Sequence, residues 1–314
     1  MNMQHALPDG IEESLPEAAW RLESLRRVLL DDYRERGYAL VLPPLVEHLD
    51  SLLQGAGGDL AAQTFKFTDP QSGALLGLRA DMTPQIARIA AKHFQGVARL
   101  CYLGSVLRTH PDLQGGSRSP RQVGCELIGV EGLEGDLEAV RLMLRTLALA
   151  DITQVHLDVG HVGFYQSLIS RLALSEADES ALFEIVQRKS KPDLISFAAA
   201  HALGDALLQP LMPLLTLHGG VEVLDTADRL FPEQQAVLMP LRGLVEQLKA
   251  LYPKLPIHVD LAELRGLRYH TGIVFAAFTP QSGRAIAQGG RYRCNERSGT
   301  GFSADLNQLL RQGA

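Results

Sequence analysis

Residues 99–130 read RLCYLGSVLRTHPDLQGGSRSPRQVGCELIGV, two apolar runs separated by a loop rich in Gly, Ser and Pro at 111–120. Side chains alternate across a strand, so the second run puts Val123, Cys125 and Leu127 on one face and Gln122, Gly124 and Glu126 on the other. An amide and a carboxylate flanking a glycine on an otherwise apolar strand suit a ligand laid against a sheet, with Gly124 giving room for close approach. A solvent-exposed sheet face would give the same alternation. Just upstream, TFKFTD (64–69) and GALLGLRAD (73–81) add two more strand signals. Four strands in quick succession predict antiparallel pairing, not alternating βαβ units.

Working outward, MTPQIARIAAKHF (82–94) predicts a helix with Thr83 as N-cap and Pro84 at its first position, which places Asp81 at a strand-to-helix junction near backbone N–H groups. Residues 16–36 carry Trp20, Leu22, Leu25, Val28, Leu29 and Tyr33 at helical spacing, with Gly37 as the stop. The run 38–42 then reads as a strand ended by Pro43 and Pro44.

From about 136 to 255 the pattern turns Leu- and Ala-rich, with one strand signal in VHLDVGHVGF (155–164) and helices in DESALFEIVQ, DLISFAAAHALGDALL and LRGLVEQLKALY. Strand signals return in PIHVDL, GIVFAAFT and GRAIAQGG, and GTGFSADLNQLLR (299–311) leads into a short helix. The expected fold is α+β, an antiparallel sheet flanked by helices. Residues 1–165 and 251–314 form its core domain, and 166–250 a helical insertion subdomain.

With 314 residues, 46% of them hydrophobic, the chain can bury a substantial core. No apolar stretch approaches the roughly 20 residues of a membrane span, and MNMQHALPDGIEESLP lacks a basic and then apolar leader pattern, so a cytoplasmic protein without membrane contact is expected. Cys101, Cys125 and Cys294 have no metal-ligand spacing, so neither a disulfide framework nor a metal site is expected. A net charge of −6 argues against a broad nucleic-acid footprint.

Further polar residues join the Gln122/Glu126 face. Asp81 and Thr83 add a carboxylate and a hydroxyl to it. In ELRGLRYHTG (263–272) the guanidinium fork of Arg265 suits a carboxylate, although a plain basic loop would read the same. The glycine pair of AQGGRY (287–292) lets backbone lie over a ligand, or simply makes a tight turn.

Taken in order, these segments resemble the core of the class II aminoacyl-tRNA synthetases, and more closely the histidyl-tRNA synthetase branch. The helix and proline-ended strand at 16–44 resemble motif 1, which implies a homodimer. RTHPDLQGGSRSPRQVG resembles motif 2, which implies that Arg108 contacts carboxylate or phosphate oxygens. The resemblance implies free histidine as ligand, with Asp81, Thr83 and Gln122 on its ammonium, Arg265 on its carboxylate, Glu126 and Tyr269 near its imidazole, and Arg108 beside them.

This chain departs from the branch in having Asp81 where glutamate is usual, Arg268 where an acidic residue is usual, and His270 where a tyrosine is usual. The largest departure is at motif 3, where GTGFSADLNQLL offers Asp305, Asn307 and Gln308 in place of the arginine that stabilises departing pyrophosphate. Losing such a preorganised charge costs on the order of several kcal/mol of barrier. Room for the anticodon-binding domain of a histidyl synthetase is also absent from the sequence, so no tRNA is expected.

The pattern is similar to that of the ATP phosphoribosyltransferase regulatory subunits, synthetase-like proteins without catalysis of their own. The resemblance implies a part in the first step of histidine biosynthesis with feedback control by histidine. It also implies a separate short-form catalytic chain as partner, a hetero-octamer of four chains of each kind, and no cofactor. Two other readings fit the residues: an amino-acid-activating ligase of class II type that does not use tRNA, and a scaffold that activates a catalytic chain without binding a ligand.

Overall fold

The computed structural model describes residues 7–54, 58–111, 116–172, 174–201, 203–204, 208–263 and 269–313. Its centre is a nine-stranded sheet built from β1 (Ala39–Leu40), β5 (Ala98–Ser105), β6 (Arg121–Ile128), β7 (His156–His161), β8 (His218–Gly219), β9 (Ile257–Asp260), β10 (His270–Phe278), β11 (Ala287–Cys294) and β12 (Arg297–Asp305). The strand order is β1-β5-β6-β12-β11-β10-β7-β9-β8. A small second sheet contains β2 (Val46–His48), β4 (Leu75–Leu78) and β3 (Phe65–Thr68), in that order. Most pairs are antiparallel, as the sequence predicts. The exceptions are β1 with β5 and β7 with β9, which run parallel.

The alternation in β6 sorts the two faces. Val123 and Cys125 join a large apolar cluster with Leu22, Leu29 and Tyr33 of α1 (Pro16–Glu35), Met143 and Leu147 of α5 (Gly132–Leu149), and Phe275 and Phe302 of the sheet. A smaller cluster on the opposite face sets Met82, Ile86 and Ala90 along α4 (Thr83–His93) against Leu100, Tyr102 and Tyr292. Between β2 and β3 lie α2 (Leu49–Leu53) and α3 (Gly58–Gln63).

Four apolar side chains anchor α1, namely Leu22, Leu25, Leu29 and Tyr33, and burial of each is worth about 2 kcal/mol. The Tyr33 hydroxyl keeps a hydrogen bond inside, 2.8 Å from Thr146 Oγ1. The helix ends where Gly37 takes φ +82°, and the Tyr38 N–H then donates to the Tyr33 carbonyl at 2.9 Å, a glycine-dependent C-terminal lock. Trp20 and Val28, although at helical spacing, are 67% and 46% exposed. They lie outside the stripe that meets the sheet.

The strand expected over 38–42 is shorter in fact. Its ladder with β5 stops at Leu40, although the Val41 N–H still reaches the Cys101 carbonyl at 2.9 Å. Pro43 and Pro44 then have no N–H to continue the ladder. Beyond β7 come the helices Val162–Ile169, Glu176–Gln187, Lys191–Ala200, Val223–Leu230 and Gln235–Leu251. Their Leu182, Val186, Leu241 and Leu244 belong to the large apolar cluster, and β8, from the same stretch, pairs with β9. Among the described residues no helix is long and apolar enough to cross a membrane, and no cluster of His, Cys, Asp and Glu could hold a metal.

Candidate functional site

The face of the sheet opposite the large core carries a row of residues paired strand to strand. Glu126 of β6 stands opposite Gly301 of β12, Gly301 opposite Gly290 of β11, and Gly290 opposite Val274 of β10. The two glycines clear the floor. A β-carbon on Gly301 would collide with Glu126 Oε2, and one on Gly290 would come within 3.0 Å of His270 Nδ1 and Val274 Cγ1. Above this floor is a cavity of about 240 Å³, of small-molecule scale, whose walls include Asp81, Thr83, Glu126, Tyr269, His270 and Gln288.

Glu126 is 1% exposed, so the solvated-face reading of its strand is excluded. Two phenols hold its carboxyl group, Tyr292 donating to Oε2 at 3.0 Å and Tyr102 to Oε1 at 3.3 Å. Thr83 Oγ1 lies 3.0 Å from the Tyr102 hydroxyl and extends the chain. Burial pushes the Glu126 carboxyl up to about 8, against the pull of these hydroxyls, and the nearby Asp81 charge adds to the rise.

Asp81 is fixed by its position between strand and helix. Its Oδ1 accepts the Thr83 N–H at 3.0 Å and Gln122 Nε2 at 2.9 Å, and Oδ2 carries neither bond. Gln122 uses the other end of its amide to accept the Met82 N–H at 2.9 Å, so it holds Asp81 in place from the neighbouring sheet. Thr83 is not the N-cap expected from the sequence. Met82 occupies the cap position without a side-chain bond, because the Thr83 hydroxyl is turned to Tyr102.

Tyr269 and His270 close one side. The Tyr269 ring stacks on Tyr292 at 5.0 Å and meets His270 edge-on at 5.4 Å, while its buried hydroxyl has no hydrogen-bond partner among the described residues. Burial depresses the His270 imidazole to about 4, so it is neutral, and its Nδ1–H donates to the Arg291 carbonyl at 3.3 Å. Glu263 lines the cavity as well. The described lining thus contains three carboxyl side chains and no lysine or arginine, an arrangement that favours a cationic guest.

The remaining expected residues divide. Arg265 and Arg268 lie outside the described residues. Arg108 is half-buried and is not part of the cavity wall; its Nε donates to the Ala80 carbonyl at 3.4 Å. At the motif 3 position, Asp305 caps the helix Leu306–Gln312, accepting the Asn307 N–H at 3.0 Å, and also accepts the Arg121 N–H at 3.2 Å. Asn307 Oδ1 accepts Arg121 Nη1 at 3.0 Å, and Gln308 Nε2 donates to the Ala285 carbonyl at 3.4 Å. These side chains are committed to structure.

Sequence reasoning missed the two phenols on Glu126 and the reason for Gly301. Tyr102 sits in an apolar run and reads as core, yet it pairs across the sheet with Gly124, whose missing side chain leaves space for the ring. The spacing of Gly299 and Gly301, on one face of a strand, was the available signal.

Comparison with known proteins shows the family and the fold. The family profile described as histidyl-tRNA synthetase matches residues 10–309. An ATP phosphoribosyltransferase regulatory subunit from Nitrosococcus oceani is 46% identical over 318 residues, a match covering 98% of this chain and 80% of that relative. Among solved structures, an ATP phosphoribosyltransferase regulatory subunit/histidyl-tRNA synthetase from Bacillus halodurans superposes with a TM-score of 0.86 at 26% identity, covering 99% of this chain and 84% of that one. A chain of the ATP phosphoribosyl transferase (HisG:HisZ) complex from Thermotoga maritima shares the fold, with a TM-score of 0.71 at 18% identity over 90% of this chain and 96% of that one.

Proposed function

Because the chain belongs to the ATP phosphoribosyltransferase regulatory subunits, within the histidyl-tRNA synthetase family, we propose that its cavity is a histidine sensor governing a separate catalytic chain. The protein is the regulatory, non-catalytic subunit of that enzyme and acts in histidine biosynthesis, with the catalytic subunit as its partner.

One observation carries the sensor reading: two buried or half-buried carboxyl groups, Asp81 and Glu126, face one cavity whose described walls supply no cation to neutralise them. The α-ammonium and the imidazole of histidine would supply positive charge at both. Asp81, held by Gln122, and Thr83 meet the ammonium; Glu126 and Tyr269 flank the imidazole; Arg265 takes the carboxylate, with Arg108 beside it. An imidazolium beside Glu126 would favour the ionised form of its carboxyl. Feedback then requires histidine to prefer one state of the hetero-oligomer over another, because equal affinity shifts nothing.

The assembly we infer is a homodimer of this chain within a hetero-octamer with four catalytic chains, working in the cytoplasm. The exposed Trp20, Val28, Leu40 and Leu42 at the α1 and β1 edge supply apolar surface for the homodimer contact. Amino-acid activation is disfavoured by the capping role of Asp305 and by Gln308, which places no cation where pyrophosphate would leave.

Calorimetric titration of the purified chain with histidine tests the reading, with Arg265→Ala and Glu126→Gln alongside and amino-acid-dependent pyrophosphate exchange assayed on the same preparation. Saturable binding that both variants weaken, without exchange, is expected. Absence of binding both alone and with the catalytic chain present would reject the sensor and leave a ligand-free activator.

A further inference from the structure

A second cavity, of about 310 Å³, lies on the other side of Tyr269. Its walls are one face of α4, comprising Pro84, Ala87, Arg88, Ala91 and Lys92, together with the end of β11 at Arg293, Cys294 and the following Asn295. The spacing 84, 87/88, 91/92 is a single helical stripe, so the side chains of α4 converge on this space rather than scatter around the helix.

Its chemistry is the reverse of the first cavity. Arg88, Lys92 and Arg293 contribute three cations to the described lining, Gln54 and Asn295 contribute amide donors, and no carboxylate is present. Arg88 also holds Glu47 through Nη2, which orients its guanidinium and fixes the side of the group that faces away. Among the described residues its buried Nε–H has no partner, and neither does the buried hydroxyl of Tyr269, which lines both cavities. Unpaired buried donors are costly, and a guest with several acceptor oxygens would satisfy them. Glu47 offsets Arg88, and the exposed Lys92 and Arg293 leave the described lining net positive, which favours an anionic guest over a cationic one.

We propose that this second cavity is an anion site of the phosphate or diphosphate class, with Arg88 as its oriented donor and Lys92 and Arg293 as flanking cations. Free diphosphate and the phosphate chain of a nucleotide share this chemistry. Because Lys92 and Arg293 are exposed, replacing them leaves the core intact, whereas removing Arg88 would also strand Glu47.

The test is titration of the full chain with sodium diphosphate, ATP and AMP at constant ionic strength, for the wild type and for Lys92→Ser/Arg293→Ser. Thermal melting and histidine binding of both proteins are followed as controls. The expected result is saturable binding of diphosphate or ATP that the double variant weakens at least about tenfold, with melting and histidine binding unchanged. Tighter diphosphate than ATP assigns the free anion; the reverse, with AMP weak, assigns a nucleotide's phosphate chain. Binding of none of the three, or binding that the double variant retains, overturns the site. Histidine binding is read separately, so failure of the anion site leaves the sensor reading untouched, and the converse holds.

Discussion

The middle and the end of strand β12 make different use of the same backbone. At Gly301 the strand opens a floor for Glu126, whose carboxyl is buried, raised in pKa and without a described cation partner. At Asp305, four residues on, the side chain is half-buried and its carboxyl is also raised by desolvation, yet it accepts two backbone N–H groups and caps a helix. The first carboxyl group lines a cavity and is held by side-chain hydroxyls; the second takes two backbone N–H groups at one oxygen and is tied to the helix it caps. The difference lies in what each group faces, a cavity or the backbone frame, and not in how many hydrogen bonds it makes.

The comparison breaks most severely with Gly301→Ala. The added methyl group collides with both Glu126 and the Cys125 carbonyl, so histidine binding should fall by at least about a hundredfold, and overpacking should cost about 1–3 kcal/mol in urea unfolding. Normal binding in this variant would show that the floor is not where the ligand rests.

Glu126→Gln comes next. It keeps the phenol contacts but cannot take a negative charge, so histidine affinity should drop roughly ten- to hundredfold at neutral pH. Stability should respond in the opposite sense. The folded wild type binds a proton at Glu126 that the unfolded chain releases near the ordinary carboxyl value, so this group's contribution to stability declines as pH rises from about 4.5 to about 8. Denaturant midpoints measured across that window should fall more steeply for wild type than for the glutamine variant; parallel curves would remove the raised Glu126 from the account.

Asp305→Ala sharpens the contrast from the other end. Loss of the cap should cost about 1 kcal/mol in unfolding while leaving the histidine isotherm in place. The smallest effect belongs to Gln308→Arg, which should leave binding unchanged and pyrophosphate exchange at background, since one cation does not reverse the commitment of Asp305 and Asn307. Measurable exchange would mean that the catalytic end is less dismantled than its hydrogen bonds suggest.

Much of this was legible in the sequence because it depends on local pattern. The polar face of β6, the strand-to-helix position of Asp81 and the order of strands and helices follow from spacing within single segments, and the synthetase-like motifs are a resemblance carried by those same segments. What escaped depends on pairing between segments. The phenol of Tyr102 meets Glu126 only because β5 lies beside β6 in a particular register, and Thr83 gave up its capping role because that phenol was within reach. Trp20 and Val28 kept helical spacing yet stayed outside, since periodicity gives a direction around the helix but not the width of the surface that covers it. The two parallel pairs, β1 with β5 and β7 with β9, are likewise set by long connections that leave no local mark.

The nine-stranded sheet ends on both sides in strands of only two residues, Ala39–Leu40 and His218–Gly219. A long bare edge is a template on which any passing extended chain can add itself, and sheets of this breadth are exposed to that hazard. Here the template is almost absent at either margin. A regulatory subunit with a catalytic partner can therefore meet it by the shapes and charges of side chains, where partners can be told apart, and offers little of the indiscriminate backbone pairing through which proteins polymerise.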